Sequence, residues 1–188
     1  IGRIVFMVLS LILGAFWVNG EEFIVLWAGK ENFQAYSVAV ILMCAHILIQ
    51  TESIGTQILW AMNQHKEQAI LKLMIVLLNI ALTALLIRWN PLIGATIGTF
   101  ISLILGDVVV MNAVFKKKLN ISLNNYYRGI FKGIVPCLTI SLIVGTLFKC
   151  LLPTGWIWLC IKVFIMIVIY AVAMISYGMT QYERNIFS

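Results

Sequence analysis

The chain has 188 residues, of which 62% are hydrophobic and 11% are charged, and its formal net charge is +6. Soluble domains usually carry about 25% charged residues, and long apolar runs do not recur along their whole length. The composition therefore excludes a soluble globular domain and predicts an integral membrane protein. Because the apolar runs are continuous rather than alternating with a period of two, a β-barrel is not expected.

Six apolar runs approach the roughly 20 residues that a bilayer-spanning helix needs. In chain order they cover residues 4–19, 36–60, 69–87, 92–115, 133–152 and 156–178. The sequence thus predicts an all-α integral membrane protein with six transmembrane helices. Since one arginine leads directly into the first apolar run, without a leader of its own, we expect the chain to be a fragment of a longer protein.

The basic residues are distributed unequally between the two predicted membrane faces. If the six helices alternate in direction, nine of the 13 Lys and Arg residues lie on the face that carries both ends of the chain. These nine are Arg3, Lys66, Lys72, Lys116, Lys117, Lys118, Arg128, Lys132 and Arg184. The positive-inside rule then predicts that both ends are cytoplasmic and that a loop with Glu21, Glu22 and Glu31 faces outward.

A polar stripe interrupts the second run in the segment "HILIQTESIGTQ", residues 46–57. On a continuous α-helix, His46, Gln50, Ser53 and Gln57 fall within about 60° of one another, and Glu52 lies to one side. Polar groups at membrane depth are costly, and they usually face a bundle interior or a water-filled cavity. The stripe therefore predicts a cavity wall. The alternative is that these side chains only hydrogen-bond neighbouring helices.

The fourth run, "PLIGATIGTFISLILGD", carries small residues at intervals of four. They are Gly94, Gly98, Ser102 and Gly106. Because small residues at this spacing let another backbone approach closely, this face is predicted to pack against one neighbouring helix. Asp107 follows directly, and we expect it at the cavity or near the cytoplasmic headgroups. Asn79, in the third run, is expected to hydrogen-bond to another helix.

Two further basic features lie in the last third of the chain. The block "FKKKLNISLNNYYRGIFKG", residues 115–133, abuts membrane segments on both sides, so attraction to anionic lipid explains it better than nucleic acid does. It is expected to form a short amphipathic helix on the membrane surface, with an ordinary basic loop as the alternative. Lys162, inside the sixth run, is expected to extend toward the outer headgroups and not to pair with Asp107.

Three segments resemble a known family. They are "NGEEFIVLWAGKENFQAYSVAVIL", "QTESIGTQILWAMNQHKEQAI" and "NPLIGATIGTFIS", the last followed by the basic block. In order and spacing they resemble the C-terminal half of bacterial polysaccharide exporters. These are the O-antigen and capsule repeat-unit flippases of the multidrug/oligosaccharidyl-lipid/polysaccharide exporter superfamily. The resemblance covers about residues 3–118, and the last two helices match in hydropathy alone.

The resemblance implies 12 to 14 helices in two lobes around a central cavity, of which this chain supplies the last six. It implies that the lobes alternate between inward-open and outward-open forms. The cargo would be an undecaprenyl-pyrophosphate-linked oligosaccharide that crosses the bacterial inner membrane, and the absent N-terminal lobe would be a partner. On this reading the substrate cavity is lined by His46, Gln50, Glu52, Ser53, Gln57 and Asp107.

Arg88 is the one arginine at an outer helix end, and it is a candidate for binding an anionic headgroup, with an interfacial anchor as the alternative. The four cysteines have no CxxC spacing and no histidine at ligand spacing, so neither a metal nor another cofactor is expected. An ion-coupled drug or cation exporter of the same superfamily is the main alternative function. A membrane-embedded transferase or polymerase is less favoured because the acids and histidines do not converge, and no enzyme is expected.

Overall fold

The structure is a computed structural model that describes residues 2–63, 65–119, 123–180 and Glu183. Arg184 and residues 120–122 of the basic block therefore lie outside the described residues. Nine α-helices occur in the described ranges: α1 (Gly2–Ala28), α2 (Gln34–Thr51), α3 (Ser53–Ala61), α4 (His65–Leu86), α5 (Pro91–Leu103), α6 (Met111–Leu119), α7 (Leu123–Phe131), α8 (Ile134–Leu151) and α9 (Trp156–Ala173). A 3-10 turn spans Lys30–Asn32, and π-helical turns span Ile104–Val110 and Met174–Gly178. No β-strand occurs among these residues.

Six helical stretches are long and apolar enough to cross a membrane, which is the number that the sequence predicts. They are Gly2–Ala28, Gln34–Thr51, Gln68–Leu86, Pro91–Lys117, Asn125–Leu151 and Trp156–Gly178. The chain is therefore an all-α, multi-pass membrane protein. The basic block does contain a helix, α7, as the first of its two alternatives predicts, and the membrane-surface position of this helix stays a prediction.

The first helix is longer than its predicted range of 4–19. It continues through Gly20 to Ala28, so that Glu21 and Glu22 lie on the helix rather than in an outward loop. The helix ends where Gly29 adopts φ 90°, a left-handed conformation that glycine takes without a steric penalty. The two acidic residues misled the prediction because the apolar pattern resumes after them in "FIVLWA".

The second predicted span, 36–60, is interrupted at Glu52. Its first part ends at Thr51, and the short helix α3 begins at Ser53. The Glu52 N–H is shared between the carbonyl oxygens of Leu48 and Ile49, both 3.2 Å away. Such a shared bond is typical of a tightened helix end. A helical projection that assumes a constant angle per residue therefore does not predict side-chain directions continuously from α2 into α3.

Two compact units are formed by different parts of the chain, namely residues 2–6 with 38–127, and residues 7–37 with 128–180. We call them the first and the second unit. The first unit contains α3 to α6 and nearly all of α2, and its largest helix contact is between α4 and α5. The second unit contains most of α1 together with α8 and α9, which pack against each other.

The small residues of α5 and of the following turn lie against α4. Gly94, Gly98, Ser102 and Gly106 are all buried. A Cβ on Gly98 would come within 2.9 Å of the backbone nitrogen of Thr83, and one on Gly94 would collide with the carbonyl of Leu86. Asn79 of α4 accepts hydrogen bonds from the hydroxyls of Thr83 and of Thr99 on α5. The expected interhelical hydrogen bond of Asn79 is thus confirmed.

Candidate functional site

The polar stripe of the second span lies at the surface of the first unit. His46, Gln50 and Gln57 are exposed, and Ser53 is half-buried. The opposite side of the same two helices is buried and includes Ala45, Ile47, Thr51 and Leu59. The side chains of the stripe are therefore not packed in the core of this unit. The helix that carries them is interrupted between Gln50 and Ser53.

Glu52 differs from the rest of the stripe because it points into the first unit. Its side chain is 4% exposed, and that of Asn112, on α6, is 9% exposed. The Asn112 amide donates to Glu52 Oε1 at 2.8 Å and to the Tyr127 hydroxyl oxygen at 2.7 Å. The other oxygens of this pair, Glu52 Oε2 and Asn112 Oδ1, are buried and have no hydrogen-bond partner among the described residues.

A cavity of about 120 Å³ opens beside this pair. Its lining consists of Glu52, Ile54, Gly55, Ile58, Asn112, Phe115 and Tyr126. The absence of a side chain on Gly55 leaves room for the Phe115 ring, since a Cβ there would lie 2.7 Å from a ring carbon. The two residues that carry unpartnered oxygens therefore line a space whose other walls are largely apolar.

Burial controls the protonation of Glu52, which follows the end of the Gln34–Thr51 span. Loss of hydration raises the pKa of its carboxyl from the ordinary value of 4.5 to about 7. The hydrogen bond from Asn112 opposes this change, and the nearby carboxylate of Asp107 adds to it. At neutral pH the carboxyl is therefore divided between its charged and neutral forms.

Asp107 is buried in the first unit, where it has a basic partner. It lies in the π-helical turn Ile104–Val110 and forms an ion pair with Lys72 of α4. The neighbouring residue Gly106 lies against Ile75, one turn along α4 from Lys72, so the close approach of the helices brings the pair together. The sequence did not indicate this partner, because Lys72 was counted among the cytoplasmic basic residues. Asp107 is thus charge-compensated, unlike Glu52.

The second unit holds an ion pair that the sequence analysis missed. Lys162 is 1% exposed, and its ammonium contacts Glu22 Oε2 at 2.8 Å and the Pro153 carbonyl at 3.1 Å. Glu22 Oε1 accepts the N–H of Gly155 at 2.9 Å. The expectation that Lys162 extends toward the headgroups was wrong, because a buried carboxylate from α1 lies within reach. The sequence could have indicated it only if Glu22 had been placed on the helix.

The remaining candidate, Arg88, is exposed in the turn between α4 and α5. This turn leads into Asn90, whose side-chain oxygen accepts the N–H groups of Leu92 and Ile93 and so caps α5. The position leaves the guanidinium accessible at a helix end. Both roles considered for Arg88, a headgroup contact and an interfacial anchor, stay predictions.

The fold and the buried side chains define the chain as a multi-pass, all-α membrane protein with a polar surface stripe. Comparisons with protein families, with curated proteins and with solved structures find no match for this chain. Its function is therefore argued from the chemistry of the described side chains and from the resemblance of its motifs.

Proposed function

We propose that the chain forms part of a flippase that moves undecaprenyl-pyrophosphate-linked oligosaccharide repeat units across the bacterial inner membrane by alternating access. The observation that carries this proposal is the exposure of His46 and Gln50 on α2 and of Gln57 on α3, in a stretch whose sequence is otherwise mainly apolar. His46 and Gln50 lie within the spanning helix Gln34–Thr51, and polar side chains at membrane depth are stable only where water or a polar partner reaches them. An aqueous cavity between this lobe and a second lobe supplies that environment.

The chemistry of the stripe suits a glycan. Amide groups donate and accept hydrogen bonds at once, as sugar hydroxyls do, and they carry no charge that a neutral sugar would leave unpaired. In the proposed cycle the stripe contacts the oligosaccharide, and the second lobe, on the same full-length chain, provides the opposite wall. Arg88, in its exposed turn, is proposed to attract the pyrophosphate on the outer side.

Thiol labelling tests the aqueous path. In the full-length protein, the native cysteines are first replaced so that each variant carries a single thiol. Single cysteines are then introduced as Gln50→Cys and Gln57→Cys, with Ile80→Cys as the matched control, because Ile80 is 61% exposed on the apolar surface of α4. A water-soluble maleimide is expected to label the two stripe positions at least ten times faster than the control, and added lipid-linked oligosaccharide is expected to slow this labelling. Equal rates at all three positions would contradict the proposal.

A second candidate function is an ion-coupled exporter of organic cations. It is favoured by one observation, the buried Glu52 oxygen that borders a cavity with the aromatic rings of Phe115 and Tyr126. Transport in proteoliposomes separates the two functions. The flippase proposal expects that Gln50→Ala with Gln57→Ala lowers oligosaccharide translocation several-fold. The exporter expects efflux of a lipophilic ammonium dye that depends on Glu52.

A further inference from the structure

Two buried oxygens in the first unit lack the hydrogen bonds that buried polar atoms almost always make. Glu52 Oε2 and Asn112 Oδ1 are both acceptors, and their two residues are among those that line the 120 Å³ cavity. The donors nearby are already committed, because the Asn112 amide is divided between Glu52 Oε1 and the Tyr127 oxygen. The Tyr126 hydroxyl donates to the Thr51 carbonyl at 2.7 Å. The site therefore has acceptors in excess and requires a donor from outside.

The charges around Glu52 do not balance its carboxylate. Lys72, which pairs with an acid in this part of the first unit, is held by Asp107. Among the described side chains of α7, the neutral phenols of Tyr126 and Tyr127 contact the site. The first turn of α1 approaches through Gly2, which lies against Tyr126 and the Thr51 carbonyl, and Arg3 follows it in that turn. Within the described part of the chain, an ionised Glu52 therefore has no direct cationic partner, which is costly at 4% exposure.

A metal ion would not fit this site well. Hard cations take about six oxygen ligands or more, several of them carboxylates, carbonyls or waters. The described residues supply two uncommitted oxygens here, and the other cavity walls are Ile54, Ile58 and the Phe115 ring. A proton needs one carboxylate oxygen and a single acceptor. A proton would therefore supply the missing hydrogen-bond donor and also neutralise the charge of the carboxylate.

We infer that Glu52 is a proton-binding site and that Asn112 changes its hydrogen bonds when the proton arrives. A hydronium ion from the aqueous phase transfers the proton: one of its O–H bonds breaks, one O–H bond forms on the carboxylate, a water molecule is left, and the charge of Glu52 changes from −1 to 0. In the ionised state the Asn112 amide N–H donates to Glu52, as observed. In the protonated state a flip of the amide lets Asn112 Oδ1 accept from the new carboxyl O–H.

Proton binding at Glu52 does not depend on the proposed flippase function. Only the role of the proton in driving transport rests on that proposed function. Glu52 occupies the break between α2 and α3, and these two helices carry the polar stripe. A change of charge at this break alters the segment that joins the two halves of the stripe. Proton uptake would thereby favour one of the two alternating forms. The binding of the proton itself needs no cargo.

Infrared spectroscopy of the purified full-length protein in nanodiscs, without oligosaccharide, tests proton binding directly. The C=O stretch of a protonated carboxylic acid is followed from acidic to alkaline pH. Glu52→Gln is expected to remove one titrating band with a midpoint near neutral pH, and Glu31→Gln, at an exposed position, is expected to leave it in place. Asn112→Leu removes the donor that stabilises the carboxylate, so the midpoint is expected to rise by about one to two pH units.

Two results would overturn the inference. One is a spectrum in which Glu52→Gln leaves every titrating band unchanged while the variant stays monodisperse. The other is a midpoint that falls when choline chloride is replaced by sodium chloride, since this would assign the site to a metal cation. The variant with Gln50→Ala and Gln57→Ala is expected to keep the band. Wild-type protein that shows the band but translocates no oligosaccharide would refute the proposed cargo and leave the proton site standing.

Discussion

Removing one partner of the buried Lys162–Glu22 pair should destabilise the protein strongly. At 2.8 Å and an effective dielectric constant of about 20, the Coulomb attraction is about 6 kcal/mol. Desolvation of the two ions offsets most of this attraction, so the net contribution of the intact pair is small. Lys162→Met, however, leaves Glu22 charged and 7% exposed, and such uncompensated charges cost about 3–5 kcal/mol.

The exposed pair Lys149–Glu21 is a matched control in the same unit. Its ammonium and carboxylate are also 2.8 Å apart, but their side chains are 35% and 41% exposed. Surface ion pairs of this kind contribute about 0–1 kcal/mol. Lys149→Met is therefore expected to change the free energy of unfolding several times less than Lys162→Met does.

The assay is equilibrium unfolding in mixed micelles, in which increasing SDS unfolds the helices and tryptophan fluorescence follows the change. The double variant Lys162→Met with Glu22→Gln is expected to regain part of the loss, because the buried charge is gone while the Gln oxygen still accepts the Gly155 N–H. Equal losses for Lys162→Met and Lys149→Met would refute the reasoning. So would a double variant whose loss equals the sum of the two single losses.

Three further predictions concern the first unit. Gly98→Ala is expected to cost about 1–3 kcal/mol of unfolding free energy because its Cβ would meet the Thr83 backbone, whereas Gly129→Ala, whose Cβ meets nothing within 4 Å, should be neutral or stabilising. Asn79→Ala removes the acceptor of two threonine hydroxyls and should cost about 0.5–2 kcal/mol, and a loss outside this range would contradict the interhelical role. Because the folded-state pKa of Glu52 is raised from 4.5 to about 7, the folded protein binds this proton more tightly than the unfolded chain does. Its stability should therefore fall as pH rises from about 4.5 to about 7 and then level off. At pH 8, Glu52→Gln should be more stable than the wild-type protein. A thermal denaturation series that shows the same pH dependence in both proteins would exclude this linkage.

Hydropathy alone was sufficient for the number of spanning helices, because bilayer thickness imposes a length that few other segments reach. The close packing of α5 against a neighbouring helix could also be predicted from the sequence, since small residues recur at a fixed interval along one face. Local pattern was not sufficient where the partner is distant in sequence. Lys162 is 140 residues from Glu22, and Asn112 is 60 residues from Glu52.

The polar stripe shows both the use and the limit of a helical projection. His46 and Gln50 precede the break and are exposed, as is Gln57 after it. Glu52, which the projection placed to one side of the stripe, is buried. A hydrogen bond from the Thr51 hydroxyl to the Ile47 carbonyl, at 2.7 Å, accompanies the break, and no sequence period encodes it.

The π-helical turn Ile104–Val110 determines which way the end of the fourth span faces. A turn of this type holds one residue more than an α-turn, and one extra residue rotates all later side chains by about 100°. The small residues before it contact α4, whereas Asn112 beyond it faces Glu52 and Tyr127. With regular winding, Asn112 would be turned away from the acid by more than a quarter of the helix circumference. A single additional residue thus lets one continuous span form a tight seam along its first half and present a hydrogen-bonding amide along its second.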